Sequence, residues 1–234
     1  MSIHESVWHL IHQGFSDKHI ISISGPAGSG KTSLALYLVG TFLTLKKPHQ
    51  GSCIWIQASE AFPKKRLESL FTLQPTKLAY LNDAFYIIPR EHACKTFSEQ
   101  LTIFQKLIDS NFIPPPDVNF IVIDNISHHL RYKFSKGADI DENLRHINYF
   151  YNNHLLPLIF RCIRENLRLI LIHEVSSDIN TGEDRPFFHK LYDRLDAFKI
   201  NLLKDPHKNL TEIILDQEQQ VFSYEIMESG FVWT

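Results

Sequence analysis

The sequence predicts an α/β fold with a mostly parallel central sheet, helices on its flanks and a C-terminal antiparallel extension. Three observations carry this prediction. Ile20, Ile21 and Ile23 form a β-branched run that leads into a glycine loop and then a helical pattern. Further buried runs at residues 53–56, 85–88, 120–124 and 169–173 alternate with helical patterns, as parallel strands covered on both faces do. From Ala197 onward the alternation gives way to short strands joined by tight turns.

Composition sets the outer bounds. The 234 residues contain no Pro/Gly/Ser-rich linker or charge run, so a single domain over 1–234 is expected. A hydrophobic content of 44% suits a soluble globular protein, and no apolar run approaches the roughly 18 residues of a membrane helix. No membrane partner is expected. The opening MSIHESVWHL has neither a basic region nor an apolar core, so no signal peptide is expected and the location reads as cytoplasmic. Cys53, Cys94 and Cys162 are widely spaced and odd in number, which favours reduced buried thiols. The net charge of -2 excludes a strongly basic nucleic-acid coat protein, and the 13 His never adopt zinc-site spacing.

In chain order, residues 3–13 carry Val7, Leu10 and Ile11 on one helical face and predict a helix at the sheet edge. Residues 25–32 read GPAGSGKT, the complete phosphate-loop pattern of Gly, four residues, then Gly-Lys-Thr. Gly25, Gly28 and Gly30 allow the backbone to turn successive N–H groups inward, and the helix opening at Lys31 adds its positive N-terminal end. Gly25, Ala27, Gly28, Ser29, Gly30, Lys31, Thr32 and Ser33 thus read as a nucleotide-phosphate cradle. Lys31 would reach the β- and γ-phosphates and the Thr32 hydroxyl would ligate Mg2+, so ATP and Mg2+ are the expected cofactors. The helix pattern continues through Leu34, Leu38, Phe42 and Leu45.

The strand at 53–56 ends in Gln57-Ala58-Ser59-Glu60, and a helix follows from about Pro63 with Leu67 and Leu70 as its apolar positions. Its basic triplet, Lys64, Lys65 and Arg66, reads by itself as a solvated face. After the strand at 85–88, Phe97, Leu101, Phe104 and Ile108 mark an amphipathic helix. The run FIVID at 120–124 ends in a carboxylate, the Walker B pattern, which places Asp124 to orient a magnesium-bound water beside Thr32.

Residues 127–141, SHHLRYKFSKGADID, read as a long polar loop. Arg131, Lys133 and Lys136 interleave with Tyr132 and Phe134, which suits single-stranded DNA, with cations on phosphates and rings on bases. A solvated loop with its aromatics packed underneath fits equally well, and the sequence leaves both readings open. A long helix over 142–166 is expected to bury Ile147, Tyr151, Leu155, Leu158 and Cys162 and to kink at Pro157. The strand at 169–173 has Glu174 at its tip, and 176–186 forms a second polar loop at the same sheet edge. Residues 197–203, 210–215 and 221–226 read as the antiparallel extension.

Taken together, the blocks GPAGSGKT, CIWIQASEAFPKKRL, FIVIDNISHHLR and LILIHEVSSDINTGEDRP resemble the RecA/RadA recombinase superfamily, most closely its short archaeal RadB branch, over nearly the whole chain. The resemblance implies a RecA-like P-loop NTPase core, with Arg66 stacked on the adenine. It also implies that the loops after Asp124 and Val175 face single-stranded DNA, and that a full-length recombinase or another recombination protein is a partner. The chain departs from the family at informative places. Ser59 stands where the family has its catalytic Glu, with Glu60 one residue late, and Glu174 stands where the family has a γ-phosphate-sensing Gln. An anion there would repel phosphate unless protonated or paired. Residues 216–220, DQEQQ, replace a basic stretch, and neither an N-terminal helix-hairpin-helix domain nor a Phe-x-x-Ala filament linker is expected.

The expected function is an ATP-binding accessory protein of homologous recombination and DNA repair that hydrolyses ATP slowly or not at all. Lys31 and Glu60 are its expected catalytic residues, with Glu174 as the rival acid. Two alternatives stay open: a competent DNA-dependent ATPase, and a KaiC-like signalling ATPase with no DNA role.

Overall fold

The computed structural model describes residues 2–45, 47–134, 140–177, 184–205, 210–215 and 220–233. Helix α1 (Ile3–Asp17) opens on a reciprocal cap, in which the Ser2 hydroxyl accepts the Glu5 N–H and the Glu5 carboxylate accepts the Ser2 N–H. Strand β1 (Ile20–Gly25) enters the glycine loop and α2 (Lys31–Leu43) leaves it. The next units are β2 (Ser52–Gln57), α3 (Lys64–Leu70), α4 (Pro75–Ala84), β3 (Phe85–Ile88), α5 (Phe97–Ile108) and β4 (Val118–Asp124). Helices α6 (His128–Phe134) and α7 (Ile140–Phe150), a π turn (Tyr151–Leu155) and α8 (Leu156–Arg164) follow. The chain continues through β5 (Arg168–Ser177), β6 (Asp184–Pro186), α9 (His189–Tyr192), β7 (Ala197–Asp205), β8 (Leu210–Leu215), β9 (Gln220–Met227) and β10 (Gly230–Trp233).

The strands form one sheet in the order β10-β9-β8-β7-β1-β5-β4-β2-β3. From β7 to β3 every pairing is parallel, whereas β8, β9 and β10 extend the sheet antiparallel beyond β7. Strand β6 folds back antiparallel onto the tip of β5. This is the expected architecture.

The central strands are apolar throughout because both faces are covered. On one face Ile21, Ile23, Cys53, Trp55, Phe120, Val122, Ile170 and Ile172 pack against helices α1 to α4. Their alternates Ile20, Ile54, Ile56, Ile121, Ile123, Leu169 and Leu171 pack against α5, α6, α8 and α9 on the other. Cys53, Cys94 and Cys162 are free and buried. Among the described residues, no helix is long and apolar enough to cross a membrane.

Several expectations need correction. The stretch read as a loop at 127–141 contains α6, held where Leu130 is fully buried and the Arg131 N–H donates to the Ser127 carbonyl. The long helix begins at Ile140 instead of 142. In place of a bare kink at Pro157, the turn before it widens into π geometry, with the Leu156 N–H bonded to the Tyr151 carbonyl. A wider turn is one way a helix accommodates a proline that lacks an N–H and crowds the preceding turn. Helix α4 has no counterpart in the sequence reading, because only Leu81 and Ala84 of its ten residues are buried and its periodic signal is weak. Leu45 lies beyond the end of α2 and is exposed. Part of the second expected loop is strand β6, and α9 and β10 are further short elements that the sequence reading does not include.

Candidate nucleotide-binding site

The register of the sheet assembles the site. Gly25 at the end of β1 pairs with Glu174 near the end of β5, and Gln57 pairs with Asp124 where β2 and β4 end. With β5 lying between β1 and β4, the glycine loop, Glu174 and Asp124 open onto one cleft of about 510 Å³. The cleft is lined by Gly25, Ala27, Gly28, Gly30, Lys31, Thr32 and Ser33, by Ser59 and Glu60, and by Asp124, Asn125, His128, Arg131 and Glu174. Three other cavities are larger, at about 620 to 740 Å³, but none of these gathers a glycine loop, a lysine and carboxylates.

Gly28 and Gly30 have φ of 73° and 88°, the left-handed region that side chains resist, and this lets the loop curl before Lys31 begins the helix. Lys31 Nζ donates to the Gly25 and Pro26 carbonyls, each at 2.8 Å. Burial lowers its pKa, against the opposing pull of Glu174, Asp124 and Glu60. Ser29 is buried beneath the loop, and the Tyr224 hydroxyl on β9 donates to its carbonyl at 2.7 Å. The C-terminal extension therefore braces the loop from outside.

The Thr32 hydroxyl donates to Asp124 Oδ2 at 3.0 Å. Burial pushes the Asp124 carboxyl up to about 6, opposed by the Thr32 hydrogen bond and reinforced by Glu60. A buried carboxylate beside a hydroxyl is a pair of hard oxygen donors short of a cation. These two residues fit Mg2+, which takes few protein ligands and completes its shell with water and phosphate oxygens. No cluster of three or more His, Cys, Asp or Glu suited to a metal occurs among the described residues.

Ser59 serves the backbone: its hydroxyl accepts the Asn125 N–H at 3.2 Å, while its own N–H donates to the Asp124 carbonyl. Glu60 lines the cleft beside it. Glu174 is paired. Its Oε1 accepts from Asn125 Nδ2 at 2.9 Å and lies 3.4 Å from His128 Nδ1, and its Oε2 accepts from Arg131 at 3.2 Å. Asn125 is itself oriented, because its Oδ1 accepts the Ser127 N–H.

Arg66 is not among the residues lining the cleft. Its guanidinium donates to Ser33 Oγ, Ser69 Oγ and the carbonyls of Met227 and Glu228, tying α3 to α2 and to the β9–β10 turn. Arg131 lies in the cleft wall, with its guanidinium 5.5 Å from the centre of the Phe187 ring. The Lys133 side chain and Lys136 lie outside the described part of the chain. Sequence reasoning missed Asn125, His128, Tyr224 and Lys204, whose Nζ sits 3.5 Å from where a Cβ on Gly28 would be. Asn125 and His128 follow the Walker B strand and were open to suspicion. Lys204 and Tyr224 reach the loop from far along the chain, and no local pattern marks them.

No family model matches the sequence. Among solved structures the chain is similar to a crystal structure of the RadB recombinase, with a TM-score of 0.62 and 21% sequence identity over 91% of this chain and 89% of that one. At that identity the likeness is one of architecture, and the chain has the RecA-like fold of the RadB recombinase.

Proposed function

We propose that the chain binds ATP with Mg2+ in this cleft and acts in DNA recombination and repair, on single-stranded DNA and beside a full recombinase, with slow or absent hydrolysis. The observation that carries the nucleotide reading is the convergence of Lys31, Thr32 and Asp124 on a glycine loop that opens a helix. In this reading the loop N–H groups and the helix N-terminus cradle the phosphates, and Lys31 exchanges the loop carbonyls for phosphate oxygens. Thr32 and Asp124 would hold Mg2+, which would supply charge neutralisation at the phosphates.

Slow turnover follows from the acids available. Ser59 has no carboxylate and is spent on the backbone, while Glu174 is tied to Arg131 and Asn125. Among the described acids of the cleft, Glu60 is left to orient a water, and its place there supports the second reading, a DNA-dependent ATPase. The recombination role rests on the RadB-like fold and on the cations Arg131, Lys133 and Lys136 that follow the β4 run in the sequence.

Calorimetry with Mg-ATP and turnover titrated with single-stranded DNA test the reading together. Lys31→Ala is expected to weaken ATP binding about ten- to a hundredfold, from the loss of a charge-assisted phosphate contact. Equal affinity in the two proteins would sink the nucleotide reading. Strong stimulation of turnover by DNA would move the assignment to the ATPase, and nucleotide binding without any DNA binding would move it to a signalling role.

A further inference from the structure

Three carboxylates, Asp124, Glu60 and Glu174, share the cleft with Lys31, and all three act on the lysine charge. In the nucleotide reading, the terminal phosphate comes to rest beside that lysine, in the cleft that they line. Two of the three have partners that offset their charge. Asp124 has Thr32 and, in the nucleotide reading, a cation. Glu174 has Arg131, on α6, whose Nη1 lies 3.2 Å from Oε2. Asn125 Nδ2 holds the other oxygen at 2.9 Å, and the Phe187 ring flanks the guanidinium. Arg131 is thus directed inward at an acid of the nucleotide cleft.

We infer that Arg131 is a specificity-determining positioning residue, the internal counter-ion of Glu174 that lets the cleft accept a third phosphate. The inference deepens the nucleotide reading and rests on it. Without the guanidinium, the Glu174 carboxylate would face the terminal phosphate across a half-buried cleft, where like charges repel more strongly than in water. A diphosphate, which lacks that terminal group, would feel the repulsion less. Arg131 would in this way set the preference for triphosphate over diphosphate without touching the nucleotide. Asn125 keeps the carboxylate turned toward it.

The test compares Mg-ATP and Mg-ADP affinities by calorimetry in the wild type, Arg131→Gln, Glu174→Gln and the double variant. Glutamine keeps part of the side-chain stem beside Phe187, and ADP binding reports that the fold and loop survive. Arg131→Gln is expected to weaken ATP by about tenfold while ADP changes by less than about threefold. The double variant is expected to restore the ATP-to-ADP ratio to within about threefold of wild type, because an uncharged amide in place of the Glu174 carboxylate needs no counter-ion. Equal losses for ATP and ADP, or an ATP loss that persists in the double variant, would overturn the inference while leaving the nucleotide reading intact. Failure of the wild type to bind either nucleotide would overturn both.

Discussion

At the residue scale, burial decides which groups carry charge. Glu60 lines the cleft, so Glu60→Gln is expected to lower steady-state turnover at saturating ATP by about a hundredfold, with binding little changed. Unaltered turnover would remove Glu60 from the chemistry. His173, one residue before Glu174, is fully buried with neither ring nitrogen hydrogen-bonded among the described residues, and burial pulls its pKa down to about 3, with Lys31 adding to the shift. The folded form then binds fewer protons than the unfolded form between about pH 3 and 6.5. Stability is full above the unfolded value and falls as the pH drops through that window. Asp124, raised to about 6, acts in the opposite sense, its contribution being present at low pH and lost as the pH rises toward 6. Urea midpoints of wild type and His173→Phe at about pH 7.5, 6 and 5 isolate the first effect, since Asp124 is common to both. The variant is expected to lose less stability on acidification, by an amount on the order of a few kcal/mol across the window. Parallel curves would show that His173 does not titrate as its burial requires.

At the element scale, the glycine loop and the C-terminal extension form one unit. Gly28 and Gly30 both hold left-handed backbone, but their surroundings differ. A Cβ on Gly28 would meet only Lys204 Nζ at 3.5 Å, whereas one on Gly30 would fall 2.3 Å from Ile226 Cδ1. Gly28→Ala is therefore expected to cost only the conformational strain, about 1–2 kcal/mol. Gly30→Ala adds displacement of the flexible, partly exposed end of Ile226 from its place beside Phe231, and is expected to cost up to about 0.5 kcal/mol more. Denaturant unfolding of the two variants checks this, and equal losses would show that the extension does not press on the loop. The same unit involves Arg66, whose hydrogen bonds to the Met227 and Glu228 carbonyls hold the β9–β10 turn against α3.

At the scale of the whole molecule, a net charge of -2 means that any hold on DNA is local and weak. With Arg131 engaged by Glu174, we propose that Lys133 and Lys136 of that segment meet DNA phosphates. Changing both to Ala is expected to reduce the slope of log affinity against log salt by about 1.4, or roughly 0.7 for each phosphate no longer neutralised. Fluorescence anisotropy with a labelled oligonucleotide over a salt series measures it. An unchanged slope would place the DNA contact elsewhere or remove it.

Much of this molecule was legible in the chain alone. The runs at 20–23, 53–56, 85–88, 120–124 and 169–173 announce their strands because parallel strands buried on both faces must be apolar at consecutive positions, as FIVID and LILIH are, whereas the tip of β5 at 174–177 is mostly polar and gave no such signal. GPAGSGKT announces its loop because left-handed turns, a helix start and a lysine are all local requirements. Those features determined the fold class and half of the candidate site. Helix α6 was hidden, since seven residues with Leu130 between His129 and Arg131 are too short to give a period to read. Tertiary structure decided that Glu174 faces Arg131, 43 residues earlier, and that Tyr224 holds the carbonyl of Ser29, 195 residues away. It also decided that the Arg66 guanidinium spans α2, α3 and a turn of the extension. The reason is physical: local patterning reports which face of an element is buried, but which side chains meet across a sheet depends on strand order and register, and these are settled only when the whole sheet closes.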